Sequence, residues 1–254
     1  MPLLYLHLSV ANEAAELLRH PVVDLNRGDY LLGSISPDVH YIGGAFRKET
    51  HFFDLDEQES ESGTSLFFKA HPDLAGGSKV DTATKSFVIG YLSHLVTDEI
   101  WIKDIYRPFF GSSSSLGGDP TANVLDRLLQ FELDRRERED TVKKTAIRDD
   151  LCGSEPQVSI DFIAVTALRK WKDFACTMID RDVTLADFPR LARGFLLPSK
   201  KIDAEQLEPF LSSLTDRLDW VIRYVTLDGL TAFREKVISH SVTVAKEYLG
   251  ADSQ

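Results

Sequence analysis

Cysteine is scarce in this chain: of 254 residues only Cys152 and Cys176 are cysteines, and they form neither a Cys-x-x-Cys motif nor a cluster. No disulfide framework and no thiolate metal site is therefore expected, and a metal bound here would take His, Asp and Glu as ligands. Positive charge is also short. Lys plus Arg number 29 against 40 for Asp plus Glu, and the net charge of -11 argues against a surface that tracks phosphate backbones. No nucleic-acid partner is expected. Long apolar runs are missing as well, since nowhere do about 18 apolar residues follow one another without a charge, so no segment is expected to span a membrane. The amino terminus, Met1-Pro2-Leu3-Leu4-Tyr5-Leu6-His7, has no basic leader, no apolar core of signal-peptide length and no small-residue cleavage site. It reads as mature and cytoplasmic.

What is present is helical periodicity. Hydrophobic residues make up 43% of the chain, enough for a sizeable core, and one domain over residues 1–254 is expected. Alternating strand patterns are nearly absent, which points to an all-α architecture, a helical bundle. Residues 9–20 read as an amphipathic helix with Ser9 as N-cap and Pro21 as stop; a second short helix is expected at 26–32. Others are expected at 67–75, 122–147, 159–180, 184–196 and 205–248, the last broken around Asp228-Gly229. The acidic, Ser-rich run 54–62 reads as a solvated loop, and 111–118 is a Ser/Gly-rich loop. That loop lacks the Gly-Lys-Ser/Thr ending and the preceding strand of a phosphate cradle.

The chemistry concentrates in residues 1–106, with 121–254 as helical scaffold and wall of a cleft. The centre is Gly90-Tyr91-Leu92-Ser93-His94-Leu95-Val96-Thr97-Asp98, inside a predicted helix over 81–106 whose apolar residues recur as in a buried helix. His94 and Asp98 lie four apart, which stacks an imidazole and a carboxylate on one helical face. A buried carboxylate is costly unless paired or coordinated, so this acid needs a partner, either a metal ion or a histidine that merely ties helices together. Upstream, Gly33-Ser34-Ile35-Ser36-Pro37-Asp38 presents Asp38 from a loop, because Pro37 disfavours helix at Ser36. His51 sits between Thr50 and two phenylalanines, as an imidazole entering an apolar wall would. His7 lies in an apolar segment, where a core or capping role is the ordinary alternative to ligation.

Taken in order, His7, Gly33 to Asp38, Thr50-His51-Phe52 and the Gly90 to Asp98 run resemble the zinc-dependent phospholipase C family, related in fold to the P1-type zinc nucleases. The resemblance implies an all-helical fold with zinc ions in a cleft between helices, positioning a water for attack on a phosphodiester. It implies that Asp38, His51, His94 and Asp98 hold one zinc, and that His7 serves a neighbouring zinc sharing Asp98. Imidazole nitrogen and carboxylate oxygen suit borderline-soft divalent ions, so one or two zinc ions are expected, with Mn or Fe as alternatives.

The chain departs from the family at two points. A further family zinc takes two histidines and a glutamate downstream, whereas after His94 this sequence has only His240. Either Asp126 or Glu132 is a candidate to supply a carboxylate there. Secreted members also use an amino-terminal Trp as ligand, where this chain has Met1-Pro2.

The expected function is a metal-dependent phosphoester hydrolase, a phospholipase C-like phosphodiesterase acting on a small phosphoester or phospholipid-like substrate. Asp38 is the candidate base that orients the water, and Arg47 a candidate substrate-binding residue that neutralises a phosphate oxygen. The alternative is a noncatalytic, metal-stabilised helical domain that binds a phosphorylated ligand or a partner protein. An HD-type phosphohydrolase is set aside, because no adjacent His-Asp pair occurs.

Overall fold

The computed structural model describes residues 3–43, 46–52, 61–75, 80–198 and 202–250. In chain order the helices are α1 (Leu4–Leu18), α2 (Pro21–Asp24), α3 (Arg27–Gly33), α4 (Arg47–His51), α5 (Gly63–Ala70), α6 (Pro72–Ala75), α7 (Thr82–Ile100), α8 (Ala122–Glu137), α9 (Thr141–Cys152), α10 (Val165–Asp180), α11 (Phe188–Leu196), α12 (Ala204–Ser212), α13 (Leu214–Val225) and α14 (Leu227–Gly250). Short 3-10 turns cover Ser36–Ile42 and Leu185–Asp187, and a wide π-type segment, Trp101–Phe110, continues α7. Among the described residues there is no strand, and the all-α reading stands.

The helix α7 is the axis of the molecule. Asp81 caps it, accepting from the Thr84 N–H at 2.9 Å, and from Ala83 to Ile100 nearly every side chain is buried. A helix apolar on all sides has to be surrounded, and α3, α14, α1 and α5 pack around it. The crossing with α3 is close because both helices offer a glycine. A methyl group on Gly33 would lie 2.0 Å from the Phe87 carbonyl oxygen, and one on Gly90 would lie 1.9 Å from that of Tyr30. This contact brings the end of α3, with Ser34 just beyond it, against the face of α7 that carries His94.

Two apolar clusters form, one around Trp101, Leu128, Phe188 and Phe233, the other around Tyr5, Leu31, Phe87 and Trp171. Both α1 and α7 contribute to each. Tyr5 and Leu8 go to one and Leu6 and Val10 to the other, so α1 is buried on two faces.

Several expected boundaries moved. The first helix starts at Leu4 rather than Ser9, which puts His7 inside it; Asp134 of α8 accepts from the Tyr5 and Leu6 N–H groups at 2.7 and 3.1 Å. That cap comes from a residue far along the chain, where local sequence offers no sign of it. Ser9 instead donates to Glu137 at 2.5 Å. The helix expected at 67–75 is two, with His71 between them, and the one expected at 122–147 is also two, because Asp140 caps α9 through the Lys143 N–H at 3.0 Å. Residues 205–248 break at Ser213 and Thr226 rather than at Asp228-Gly229. Most of the acidic run 54–62 lies outside the described residues.

The expectation of no disulfide is corrected. Cys152 at the end of α9 and Cys176 in α10 are bonded, with Cα atoms 5.9 Å apart. Helices α9 and α10 pack side by side, so cysteines unrelated in sequence come together at their contact. On the same helix, Trp171 donates its indole N–H to the Ile35 carbonyl at 2.8 Å, tying α10 to the turn that carries Asp38.

Candidate metal centre

The five singled-out residues reach the centre from four elements: α1, the 3-10 turn, α4 and α7. His94 and Asp98 stand one turn apart on α7, with His94 Nε2 3.4 Å from Asp98 Oδ2. His94 Nδ1 lies 2.8 Å from the Ser34 carbonyl, an acceptor, so the proton sits on Nδ1 and the Nε2 lone pair faces inward. His51 ends α4. Its Nδ1 faces the Arg47 carbonyl at 3.3 Å and Thr50 Oγ1 at 3.0 Å, and that hydroxyl already donates to the Arg47 carbonyl. Nδ1 is again the protonated nitrogen, and Nε2 is again turned inward. Asp38, on the 3-10 turn begun by Ser36-Pro37, places Oδ1 3.3 Å from His51 Nε2. His7 stacks flat on His94, ring centroids 3.8 Å apart, with Nε2 3.4 Å from Asp98 Oδ1.

These distances form a pattern. His51 Nε2 lies 3.3 Å from His94 Nε2 and 3.6 Å from Asp98 Oδ2. A tetrahedron of ligands about 2.0–2.1 Å from a zinc ion has six edges of about 3.3–3.4 Å, and the separations His51–Asp38 at 3.3 Å, His51–His94 at 3.3 Å, His94–Asp98 at 3.4 Å and His51–Asp98 at 3.6 Å are close to that. Two imidazole nitrogens that both present lone pairs at 3.3 Å repel each other unless a cation lies between them. The side chain of Asp98 is fully buried, and neither oxygen has a hydrogen-bond partner; the same holds for both nitrogens of His7. An uncompensated carboxylate at that depth is costly. The donor set therefore fits a divalent ion. Among the described residues two groups have donor atoms within 4.8 Å of one another, His7 with His94 and Asp98, and Asp38 with His51 and His94.

The electrostatics agree with this arrangement. Burial opposes charge on Asp98, yet His94 and His7 beside it hold its carboxyl well below the usual range. For Asp38 burial likewise opposes charge and is outweighed by His51 and its neighbours, which lower the carboxyl. Burial lowers His51 to about 4, helped by the positive charge of Arg47. Burial and the nearby His94 lower His7 as well. At His94 burial is outweighed by Asp98, with Asp38 and the Ser34 carbonyl, which raise it. The centre thus holds ionised carboxylates beside two imidazoles, His7 and His51, that are kept neutral, the states in which such groups bind metal.

The other expectations divide. Arg47 begins α4 and is half-buried, its charge felt at His51. Asp126 and Glu132 do not reach the centre. Asp126 accepts from Trp101 Nε1 at 3.0 Å and Gln130 Nε2 at 2.7 Å, and Glu132 is taken by Arg135 and Arg136 at 2.8 and 2.7 Å. His71 stacks on Phe162 with centroids 4.2 Å apart. His40 is beside the centre, its ring 5.4 Å from that of His51, with Nδ1 against the Pro37 carbonyl.

A cavity of about 370 Å³ opens beside Asp38, and the expected cleft wall in 121–254 supplies most of its lining. The start of α1 and helices α8, α10 and α11 wall it, with Phe131, Trp171, Met178 and Leu191 among the apolar residues and Arg127 among the charged ones. Its residues come from four helices at no common spacing, which no local motif announces.

Residues 6–101, a segment containing all five site residues, match the family model described as zinc dependent phospholipase C. No curated protein and no solved structure gives a significant match. Over that segment, the chain is similar to the zinc dependent phospholipase C family.

Proposed function

We propose that this protein is a metal-dependent phosphoester hydrolase of phosphodiesterase type. The observation that carries the reading is the fully buried Asp98 carboxylate, without a hydrogen bond, facing the inward nitrogens of His7, His51 and His94. In this reading Asp38, His51, His94 and Asp98 hold one ion, and His7 with Asp98 Oδ1 holds a share of a second. When bound, zinc supplies Lewis acidity at a phosphoryl oxygen and draws the pKa of a water toward neutrality. The chain's own residues do the rest. Asp38 touches His51 with one oxygen and also lines the cavity, so it is placed to orient the attacking water and take its proton. Arg47 supports the site as a positive charge for a nonbridging oxygen. The apolar walls beyond Asp38 support a phospholipid-like substrate, with the phosphate at the centre and the apolar portion in the cavity.

The test is elemental analysis of purified protein beside His94→Ala, together with a phosphodiester screen under zinc, manganese and iron. Wild type carries one or two metal ions per chain and turns over a diester, and the variant loses both. Activity surviving loss of the metal overturns the reading. A second reading, a metal-stabilised domain without catalysis, is favoured by one fact. Asp126 and Glu132, the candidates for a further site, are committed to other partners. It gains if metal raises Tm while no diester turns over under any of the three ions.

Among the described residues no helix is long and apolar enough to cross a membrane. The cytoplasmic expectation rests on the character of the amino terminus. The Cys152–Cys176 bridge, a bond that persists in oxidising compartments, counts against it.

A further inference from the structure

The lining of the cavity beside Asp38 narrows the substrate further than the hydrolytic reading does. It is apolar along its length, with Leu3 and Leu4 at the start of α1, Phe131 of α8, Trp171 and Met178 of α10 and Leu191 of α11 in its walls. Its two arginines also bond within the fold, Arg138 more fully than Arg127. Arg138 donates to Asp134 at 2.8 Å and to the Met178 carbonyl at 2.9 Å, and Arg127 donates to Gln130 at 3.0 Å. Three aromatic residues of the lining, Tyr41, Phe174 and Phe195, are 49, 43 and 45% exposed. Tyr41 and Phe195 meet edge to face with centroids 5.7 Å apart, and Phe174 stacks on Trp171 at 5.2 Å. The void thus runs from exposed aromatics to the carboxylate of the candidate centre.

Size decides what fits. A methylene takes about as much room as a water molecule in the liquid, about 30 Å³, so about 370 Å³ admits about a dozen such groups, one chain rather than two. Charge decides the orientation. Asp38 and Arg127 both line the cavity, and Tyr41, also in the lining, feels the charge of each, so an anionic head has a cation and the centre as partners at that end and an apolar tail has the remaining walls.

We propose that this cavity is a binding site for the single apolar chain of an anionic amphiphile, so that the enzyme takes monomeric single-chain phosphoesters, with Arg127 positioning the phosphate. This rests on the hydrolytic reading for the identity of the head group as a phosphoester. The chain site itself stands on the cavity alone.

The experiment is calorimetric titration of the full chain with n-alkyl phosphates of four to eighteen carbons, each below its micelle concentration. Affinity rises about three- to fourfold per added methylene, as expected for burial of each group, and stops rising near a dozen carbons. Leu191→Trp, which fills the cavity, moves that limit to shorter chains. Met178→Phe is the second variant, used if the first fails to fold, and moves it less in the same direction. Arg127→Gln weakens octyl phosphate while leaving octanol unchanged. His94→Ala keeps the chain-length profile even though it loses hydrolysis, so failure of the catalytic reading and failure of this one are told apart. Affinity independent of chain length overturns the proposal, as does a rise continuing through eighteen carbons. So does a limit that neither filling variant moves, or binding to vesicles of a two-chain anionic lipid without binding of the monomers.

Discussion

At the scale of single residues, Asp98 separates a metal ligand from a structural acid. A carboxylate retained as partner to His7 and His94 would be missed whenever it is removed, because breaking a buried ion pair costs about 3–5 kcal/mol. A carboxylate retained for a metal is different, since the ion is then its main partner and the metal-free protein loses no hydrogen bond with it. The geometry favours the second, with no hydrogen bond to either oxygen and imidazole nitrogens 3.4 to 3.6 Å away, at ligand-to-ligand rather than donor-to-acceptor distances. Asp98→Asn, which keeps the shape and removes the charge, is therefore expected to change the stability of metal-free protein by less than about 1 kcal/mol. It should also abolish the rise in Tm that zinc gives the wild type. Urea unfolding with and without zinc checks both, and a loss of 3–5 kcal/mol in the metal-free variant would assign Asp98 to the structural pair.

At the scale of elements, the disulfide between α9 and α10 closes a loop with its cysteines 24 residues apart, including the irregular approach to α10. Constraining a loop of that length stabilises by about 3 kcal/mol. Cys152→Ser with Cys176→Ser is expected to lose about that much in denaturant unfolding. The double variant should also bind alkyl phosphates more weakly, since α10 supplies Trp171 and Met178 to the cavity. A variant as stable as wild type would show that packing alone holds α9 against α10.

The bridge also marks where sequence reading stopped. His94 and Asp98 were legible because one helix brings them together at a fixed spacing, whereas Pro37 and the flanking aromatics placed Asp38 on a loop and His51 at an apolar wall and only the family resemblance joined them to the centre. The start of α1 was not legible, because its cap is Asp134 of α8, and neither was the make-up of the cavity, whose walls come from four helices. What depends on one element can be read along the chain. What depends on a meeting of elements cannot.

At the scale of the whole molecule, one charged cluster joins the first helix to the last. Arg234 of α14 donates to Glu13 of α1 at 2.6 Å and to Glu137 of α8 at 3.0 Å, and Lys143 of α9 reaches Glu137 at 2.7 Å. Burial alone would raise Glu137, but Arg234, Lys143 and the Ser9 hydroxyl outweigh it and lower its carboxyl from 4.5 to about 2. A carboxyl whose folded pKa lies below its unfolded value stabilises the fold when ionised in both states. Its contribution is full above about pH 4.5 and is lost as pH falls through that value toward 2, because the unfolded chain takes up the proton first. The shift sets an upper limit of about 3 kcal/mol for this residue. Glu137→Gln is accordingly expected to be less stable than wild type at pH 7, with the gap closing as pH falls from 4.5 to 2. Urea unfolding of both proteins across that range measures it, and a gap independent of pH would mean that Glu137 acts through packing rather than charge. The helices joined by this cluster include α1 and so carry His7, which links acid stability to the position of one candidate ligand. With metal bound, acid unfolding of the wild type should therefore move to lower pH for as long as the ligands remain deprotonated.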